Sequence, residues 1–514
     1  MSGIVLVPLD ERPVCTSLPA GIARIAGLDC ALPPSGLLPR IRRPGDTAGL
    51  TDWLSAARQT ASFAIVSLEG LGFGGLIPSR IGHESQAEVA VRWSVLRQTG
   101  CPVFASTLVP RTPDSSDPME EPDYWDPHGP ALHSLSAALA KRAGVAQAQA
   151  AVPREVRLDW IGRRLRQHAL ALQAVELAAD NTVGRLVIGI DDAAEESLSA
   201  ADQRALGDWV DRCELGDRVF VQPGADEIGA VLVARACLAV RGVRAPIIGI
   251  MCSDPEALNR VAPYESSRVR ETIRRQIEAA GAHAVFLGSG IGDSSSGSVS
   301  GIDSRAAGCD VILVVHPPEE PRVPAADWAV APDHHLDPHQ AALTADLVTR
   351  ALTTTTLVGL ADVARPNGAD PALVAALDAA DVWRALGGFA AWNTAGNTVG
   401  TVAAQLVAGW AARESGTLDA GAVRLSVARR VVEDYGWMSL ERERVRTILG
   451  SPRTRHDNIA EPDTGNPVLR DAETRLSAVL AARPGLERVR IEPGSLTLPW
   501  QRTFEIDLNL IEAG

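Results

Sequence analysis

The sequence predicts an α/β protein with a parallel sheet covered by helices. Short runs rich in β-branched residues alternate with longer helical stretches from Ile4 to Ala412. Each intervening stretch is long enough for the crossover that parallel strands need. Acidic residues recur directly after the strands, and a parallel sheet gathers such positions along one rim.

In chain order, the clearest strands fall at 4–8, 63–68, 103–108, 186–190, 218–222, 246–251, 311–315 and 357–360. Weaker apolar runs at 30–32, 284–287 and 389–392 are further candidates. Helical periodicity marks 159–179, 200–212, 227–240 and 266–280. The eight clear strands alone suit a (β/α)8 barrel with insertions, which is the preferred architecture. Counting all eleven favours two doubly wound α/β lobes that divide near the Ser/Gly-rich residues 288–301. Residues 110–130, rich in Pro, Asp and Ser, read as a long loop over one face. The α/β catalytic domain is expected over 1–414. A charged helix at 424–449 and short strands at 488–492 and 504–510 then predict a small α+β unit over 415–514.

Composition narrows the chemistry. No run of about 20 apolar residues predicts a membrane helix. The start, Met1-Ser2-Gly3-Ile4-Val5-Leu6-Val7-Pro8, lacks a basic segment and reads as a first strand. Cys15, Cys30, Cys101, Cys213, Cys237, Cys252 and Cys309 form no CxxC pair, so reduced thiols in a cytoplasmic protein are expected. With 63 acidic against 49 basic residues, neither nucleic acid nor an anionic membrane is an expected partner. Lys141 is the sole lysine. A GxxxxGK[ST] phosphate loop is therefore absent, and HExxH and GxSxG motifs are absent too.

The strand ends supply the candidate site. Asp10-Glu11-Arg12, Glu69-Gly70, Asp191-Asp192, Gly224-Ala225-Asp226-Glu227, Ser253-Asp254, His316 and Asp362 each follow a strand. Carboxylates crowded on one rim repel, and their pKa values shift as acid–base catalysis requires. Alternatively each caps the helix after it. The glycine-rich stretch from Gly70 to Arg80, with Gly75, Ser79 and Arg80, would let backbone approach a ligand closely. Gly288-Ser289-Gly290-Ile291-Gly292 reads as a loop. Trp392-Asn393-Thr394-Ala395-Gly396-Asn397 joins an indole to two carboxamides, a set suited to a sugar's C–H face and hydroxyls. A capped helix with a core tryptophan is the alternative there. Residues 365–370 read first as a turn. His334, His335 and His339 lie in a Pro/Asp-containing stretch without cysteine partners, so no metal site is expected. Tyr264-Glu265 serves as a cap or a substrate contact.

In order along the chain, Pro8-Leu9-Asp10-Glu11-Arg12-Pro13-Val14, Gly74-Gly75-Leu76 with Ser79-Arg80, Asp191-Asp192, Pro223-Gly224-Ala225-Asp226-Glu227, Tyr264-Glu265, Pro366-Asn367-Gly368-Ala369-Asp370, Trp392-Asn393-Thr394-Ala395-Gly396-Asn397 and Leu498-Pro499-Trp500-Gln501-Arg502-Thr503-Phe504-Glu505 resemble the motifs of a bacterial family classed as domain of unknown function 4127. Cys15 departs from that pattern, which usually has Asn there, and residues 193–197 replace a stretch that usually carries an aromatic and a glycine. The resemblance implies no activity. The order of Asp191-Asp192, then Asp362, Asn367, Trp392 and Asn393 is similar to that in the hydrolases that remove O-linked N-acetylglucosamine, by analogy of fold alone.

The leading expectation is a glycosidase-like hydrolase acting on a small sugar or amino sugar, without a cofactor. Asp191, Asp192 and Glu227 are its candidate catalytic carboxylates. Asp10, Arg12, Glu69, Gly75, Ser79, Arg80, Asp226, Tyr264, Glu265, Asp362, Asn367, Asp370, Trp392, Asn393 and Asn397 are its candidate substrate contacts. A divalent-metal hydrolase using Asp10, Asp191, Asp192 and Asp226, or a sugar-binding protein without turnover, are the alternatives.

Overall fold

A computed structural model describes residues 3–287, 308–320, 337–355, 357–450 and 465–512. The chain forms two compact units. The first holds Met1–Ala20, Leu28–Ala236 and Tyr264–Ser267, and the second holds Gly21–Gly27, Cys237–Pro263 and Arg268–Gly514.

All eleven expected strands form, but they make two open parallel sheets and no closed barrel. In the first unit β1 (Gly3–Val7), β2 (Asp29–Ala31), β3 (Phe63–Ser67), β4 (Val103–Val109), β5 (Arg185–Ile190) and β6 (Val219–Pro223) lie in the order β2-β1-β3-β4-β5-β6. In the second unit β7 (Ile247–Cys252), β8 (His283–Phe286), β9 (Val311–His316), β10 (Val358–Asp362) and β11 (Leu386–Ala390) lie in the order β8-β7-β9-β10-β11. The pairings explain why the preferred barrel fails. β1 pairs with both β2 and β3, so β2 is an edge; β7 likewise pairs with both β8 and β9. A barrel needs each strand beside its sequence neighbours all round. The lobe alternative therefore stands, and both sheets share one winding order.

β4, buried along its whole length, and β5, buried after its first residue, are the near-continuous apolar runs that a sheet covered on both faces requires. Val66, Ala105 and Ile188 pack with Leu170 and Ala174 of the helix Arg154–Ala179 in the first unit's core. In the second unit Leu360 and Phe389 share a core with Val427, Trp437, Leu476 and Leu498. The residues expected as a separate unit from 415 are thus part of the second unit, because their apolar side chains complete its core. The expected charged helix there is three segments: Ala420–Arg430, an 11-residue π-helix Val431–Glu441, and Arg442–Ile448. The expected lobe division at 288–301 and the loop Gly288–Gly292 fall outside the described residues.

Candidate functional site

Asp10 and Asp191 stand at the C-terminal end of the same parallel sheet, past β1 and β5. Asp10, Arg12 and Asp226 form one knot. Arg12 donates from Nη2 to Asp10 Oδ2 at 2.7 Å and to Asp226 Oδ1 at 2.6 Å, and from Nε to Asp10 Oδ1 at 3.0 Å. All three are buried. Asp226 follows β6, and the helix that begins just after it lies against the β1 segment: Gly229 stands against Pro19 and near Leu6. Cys15 is inside the knot, its Sγ 4.0 Å from both Arg12 Nη2 and the Asp226 carbonyl oxygen. Burial, with Asp10 beside it, pushes the thiol well above its ordinary range, so it stays protonated. Glu227 is fully buried, its carboxylate folded over Gly224, whose φ of +110° only glycine takes readily.

A second cluster surrounds the aspartate pair. Arg80 donates from Nη2 to Asp191 Oδ2 at 2.5 Å and from Nη1 to Glu120 Oε2 at 2.9 Å. Arg111 donates to Asp192 Oδ2 at 2.9 Å, to Glu120 Oε2 at 2.9 Å and to Glu121 Oε1 at 3.1 Å. Four carboxylates thus face two guanidinium groups. Burial, and after it the charge of Asp191, raise the Asp192 carboxyl to about 6 against the pull of Arg111. Burial also raises Glu121. Asp192 keeps 31% of its side chain exposed against 10% for Asp191, so the group with the raised pKa is the one that faces solvent.

The loop is braced from behind. The Ala193 N–H donates to the Tyr264 carbonyl at 2.8 Å, and Ser266 Oγ donates to Gln203 at 2.7 Å. Tyr264 takes φ +65° and remains half-exposed, while Glu265 is buried. Residues 193–197, where the family pattern is broken, lead to Ser197, which caps the helix Leu198–Arg212.

Glu69 lies deeper. Its Oε1 accepts from the Thr107 hydroxyl at 2.8 Å and the Leu108 N–H at 2.9 Å. Its Oε2 makes no hydrogen bond of ordinary geometry, although the Ser67 hydroxyl is near enough to favour the charge. Burial wins and raises the carboxyl from 4.5 to about 7. Below pH 4.5 the group is protonated folded and unfolded alike. From there to about 7 the unfolded carboxylate ionises first, so stability falls as pH rises, and above about 7 the loss is complete, about 3 kcal/mol. Glu69→Gln is expected to flatten this dependence and to stabilise the protein at pH 8; denaturant unfolding at pH 5 and 8 measures it.

The glycine-rich stretch serves packing. Gly70 lets the helix Leu68–Phe73 lie on the Pro8 carbonyl, where a Cβ would stand 2.2 Å from oxygen, and Gly74 meets Gly45. Gly75 abuts Pro39, and Ser79 Oγ donates to the Leu76 carbonyl at 2.6 Å. Neither is the ligand contact expected from sequence, because chain rather than solvent fills the space beside it.

The remaining candidates belong to the second unit, so Asp362 does not share the first sheet's rim as expected. His316, at the end of β9, has Nε2 3.1 Å from Asp370 Oδ2 and Nδ1 2.9 Å from Thr344 Oγ1. Asp362 accepts from the Ala364 and Asp370 N–H groups at 3.1 and 2.7 Å. Burial raises its carboxyl to about 6 against the pull of His316. Asp370 also caps the helix Pro371–Ala379. Trp392 gives its indole N–H to Thr401 at 3.0 Å and lies under the Arg430 guanidinium, so the open face expected for a sugar is covered. Thr394 caps the helix Ala395–Glu414, and Asn397 Oδ1 accepts from Thr394 Oγ1 at 2.7 Å and from Asn393 Nδ2 at 3.4 Å. The Asn367 N–H donates to the Asn393 carbonyl at 3.0 Å. His334 and His335 lie outside the described residues, and His339 is exposed at the start of the helix Pro338–Thr354.

Sequence reasoning missed Arg111, Glu120, Glu121 and Asp434. The acidic pair in the 110–130 loop was the available signal for Glu120 and Glu121. Asp434, buried in the π-helix, accepts from the Ala391 N–H at 2.7 Å and from Arg430 at 3.1 Å, and burial raises it to about 6.

Fold and site define a parallel α/β protein that concentrates carboxylate–guanidinium clusters at strand ends. The chain belongs to the family described as Protein of unknown function (DUF4127), whose model matches residues 4–289 and 294–509. No curated protein and no solved structure matches the chain. No described helix is long and apolar enough to cross a membrane, and no group of three or more His, Cys, Asp or Glu among the described residues is placed to hold a metal ion.

Proposed function

We propose that the first unit is a glycosidase-like hydrolase for a small sugar or amino sugar, with Asp192 as general acid and Asp191 as its partner. One observation carries the reading. Two adjacent carboxylates sit in different surroundings, Asp191 paired to Arg80 and buried, Asp192 paired to Arg111, raised to about 6 and partly exposed. Environments that separate two carboxyl groups assign acid and base roles. Asp192 protonates the leaving oxygen, while Asp191 orients or stabilises the nucleophile, which the sugar's own acetamide can supply. Seven free thiols support a reducing, cytoplasmic setting.

A screen of aryl glycosides and aryl N-acetylglucosaminides, with and without EDTA, tests this. Release of the aryl group that survives chelation is expected. Turnover abolished by EDTA would instead favour a metal-dependent hydrolase, and binding without turnover a sugar-binding protein. The guanidinium partners weigh against the metal reading, because Arg12, Arg80 and Arg111 occupy the carboxylates a divalent ion would need.

A further inference from the structure

The helix Arg154–Ala179 has 26 residues and spans about 39 Å. Its inner side joins the core through Leu170, Ala174 and Val175. Its outer side carries Leu158, Ile161 and Leu165, which are 52%, 41% and 70% exposed, followed by half-buried Ala169 and Leu172. These positions recur every three or four residues and form one stripe. Beside it, the helix Gln86–Trp93 contributes Val91, 72% exposed, and a groove whose apolar lining is Ala87, Ala90, Ala169 and Leu172 and whose polar lining includes Gln86, Gln173 and Glu176. Four of the eleven large apolar side chains exposed among the described residues thus gather here. Such a patch marks a contact surface.

We propose that this face is a two-fold interface with a second copy of the chain, the helices antiparallel and Leu165 on the axis. Spacing and charge together select this occupant. When Leu165 meets its own copy, Ile161 meets Ala169, Leu158 meets Leu172 and Arg154 meets Glu176. On either side of the Leu165 pair, Ile161 opposes the smaller Ala169 and Leu158 the groove mouth at Leu172, and opposite charges close both ends. Arg154 and Glu176 are exposed, and neither forms an ion pair with another described residue. A surface complementary to itself is the requirement of an isologous dimer.

Sedimentation equilibrium tests the proposal, with thermal melts to confirm folding. The wild-type chain is expected to be dimeric. Leu165→Glu puts two carboxylates on the axis and should raise the dimer dissociation constant on the order of a hundredfold. Arg154→Glu alone, or Glu176→Arg alone, sets like charges against each other at both ends and should raise it about tenfold. An equimolar mixture of those two variants restores opposite charges at both ends, so heterodimers should reappear at near wild-type affinity. A misfolded variant cannot produce that rescue. A wild-type monomer at about 100 µM, a dimer indifferent to Leu165→Glu, or no recovery on mixing would each overturn the proposal.

Discussion

Asp191→Asn and Asp192→Asn are each expected to lower the turnover number by at least about a hundredfold on a glycoside found by the screen, the low end for an acid–base residue. The two variants should differ in pH behaviour. Asp192 works as an acid only while protonated, so wild-type turnover should fall as pH rises through about 6. Asp192→Asn removes the titrating group, and its residual activity should lose that limb. Asp191→Asn removes the neighbouring negative charge that helps hold Asp192 up, so the limb should move to lower pH. Folding should survive both changes, because each removes one of four crowded carboxylates. Steady-state kinetics across pH 4–8 beside thermal melts separate the outcomes. Near-normal turnover in both variants would end the assignment, and a joint fall in melting temperature and activity would show a structural role.

The largest loss of stability is expected from Arg12→Leu. Arg12 is the charge partner common to Asp10 and Asp226, and all three are buried. Removing one member of a buried ion pair costs about 3–5 kcal/mol, because the charge left behind keeps its desolvation penalty. Here two carboxylates lose their partner, and leucine offers no donor. At roughly 2–4 °C per kcal/mol for a unit of this size, the melting temperature of the first unit should fall by about 10 °C. Differential scanning calorimetry at pH 7 checks this; an unchanged melting temperature would show that the knot contributes no stability.

The strands were legible because a buried parallel strand must be a continuous apolar run, and all eleven runs became strands. Sheet membership was not, because hydrogen-bond partners leave no trace in a single strand's composition. The eight clear runs therefore suited a barrel while all eleven suited two lobes, and the pairing of β1 with both β2 and β3 separates the two. The strand-end carboxylates were legible as candidates, since Asp10, Asp191 and Asp226 do stand on one sheet's rim. Their partners were not. Arg111, Glu120 and Glu121 lie in or beside a loop without periodicity, and only tertiary contact shows that they face Asp191 and Asp192. Trp392 and the asparagines misled for a related reason: an indole with carboxamides suits a buried helix start as well as a sugar, and covering groups such as Arg430 come from far along the chain.

The brace behind the aspartate pair has a consequence for the order in which the protein is made. The first sheet has all its strands once Pro223 has left the ribosome, but the Tyr264 carbonyl that receives the Ala193 N–H comes about 40 residues later. At about 5–20 residues per second, the nascent chain spends roughly 2–8 s with its sheet assembled and its acid loop without this brace. That hydrogen bond is thereby deferred until the chain has been made through Cys237–Pro263 of the second unit. A chain released early, by a stop codon before Tyr264, would carry a finished sheet and an acid loop without this brace.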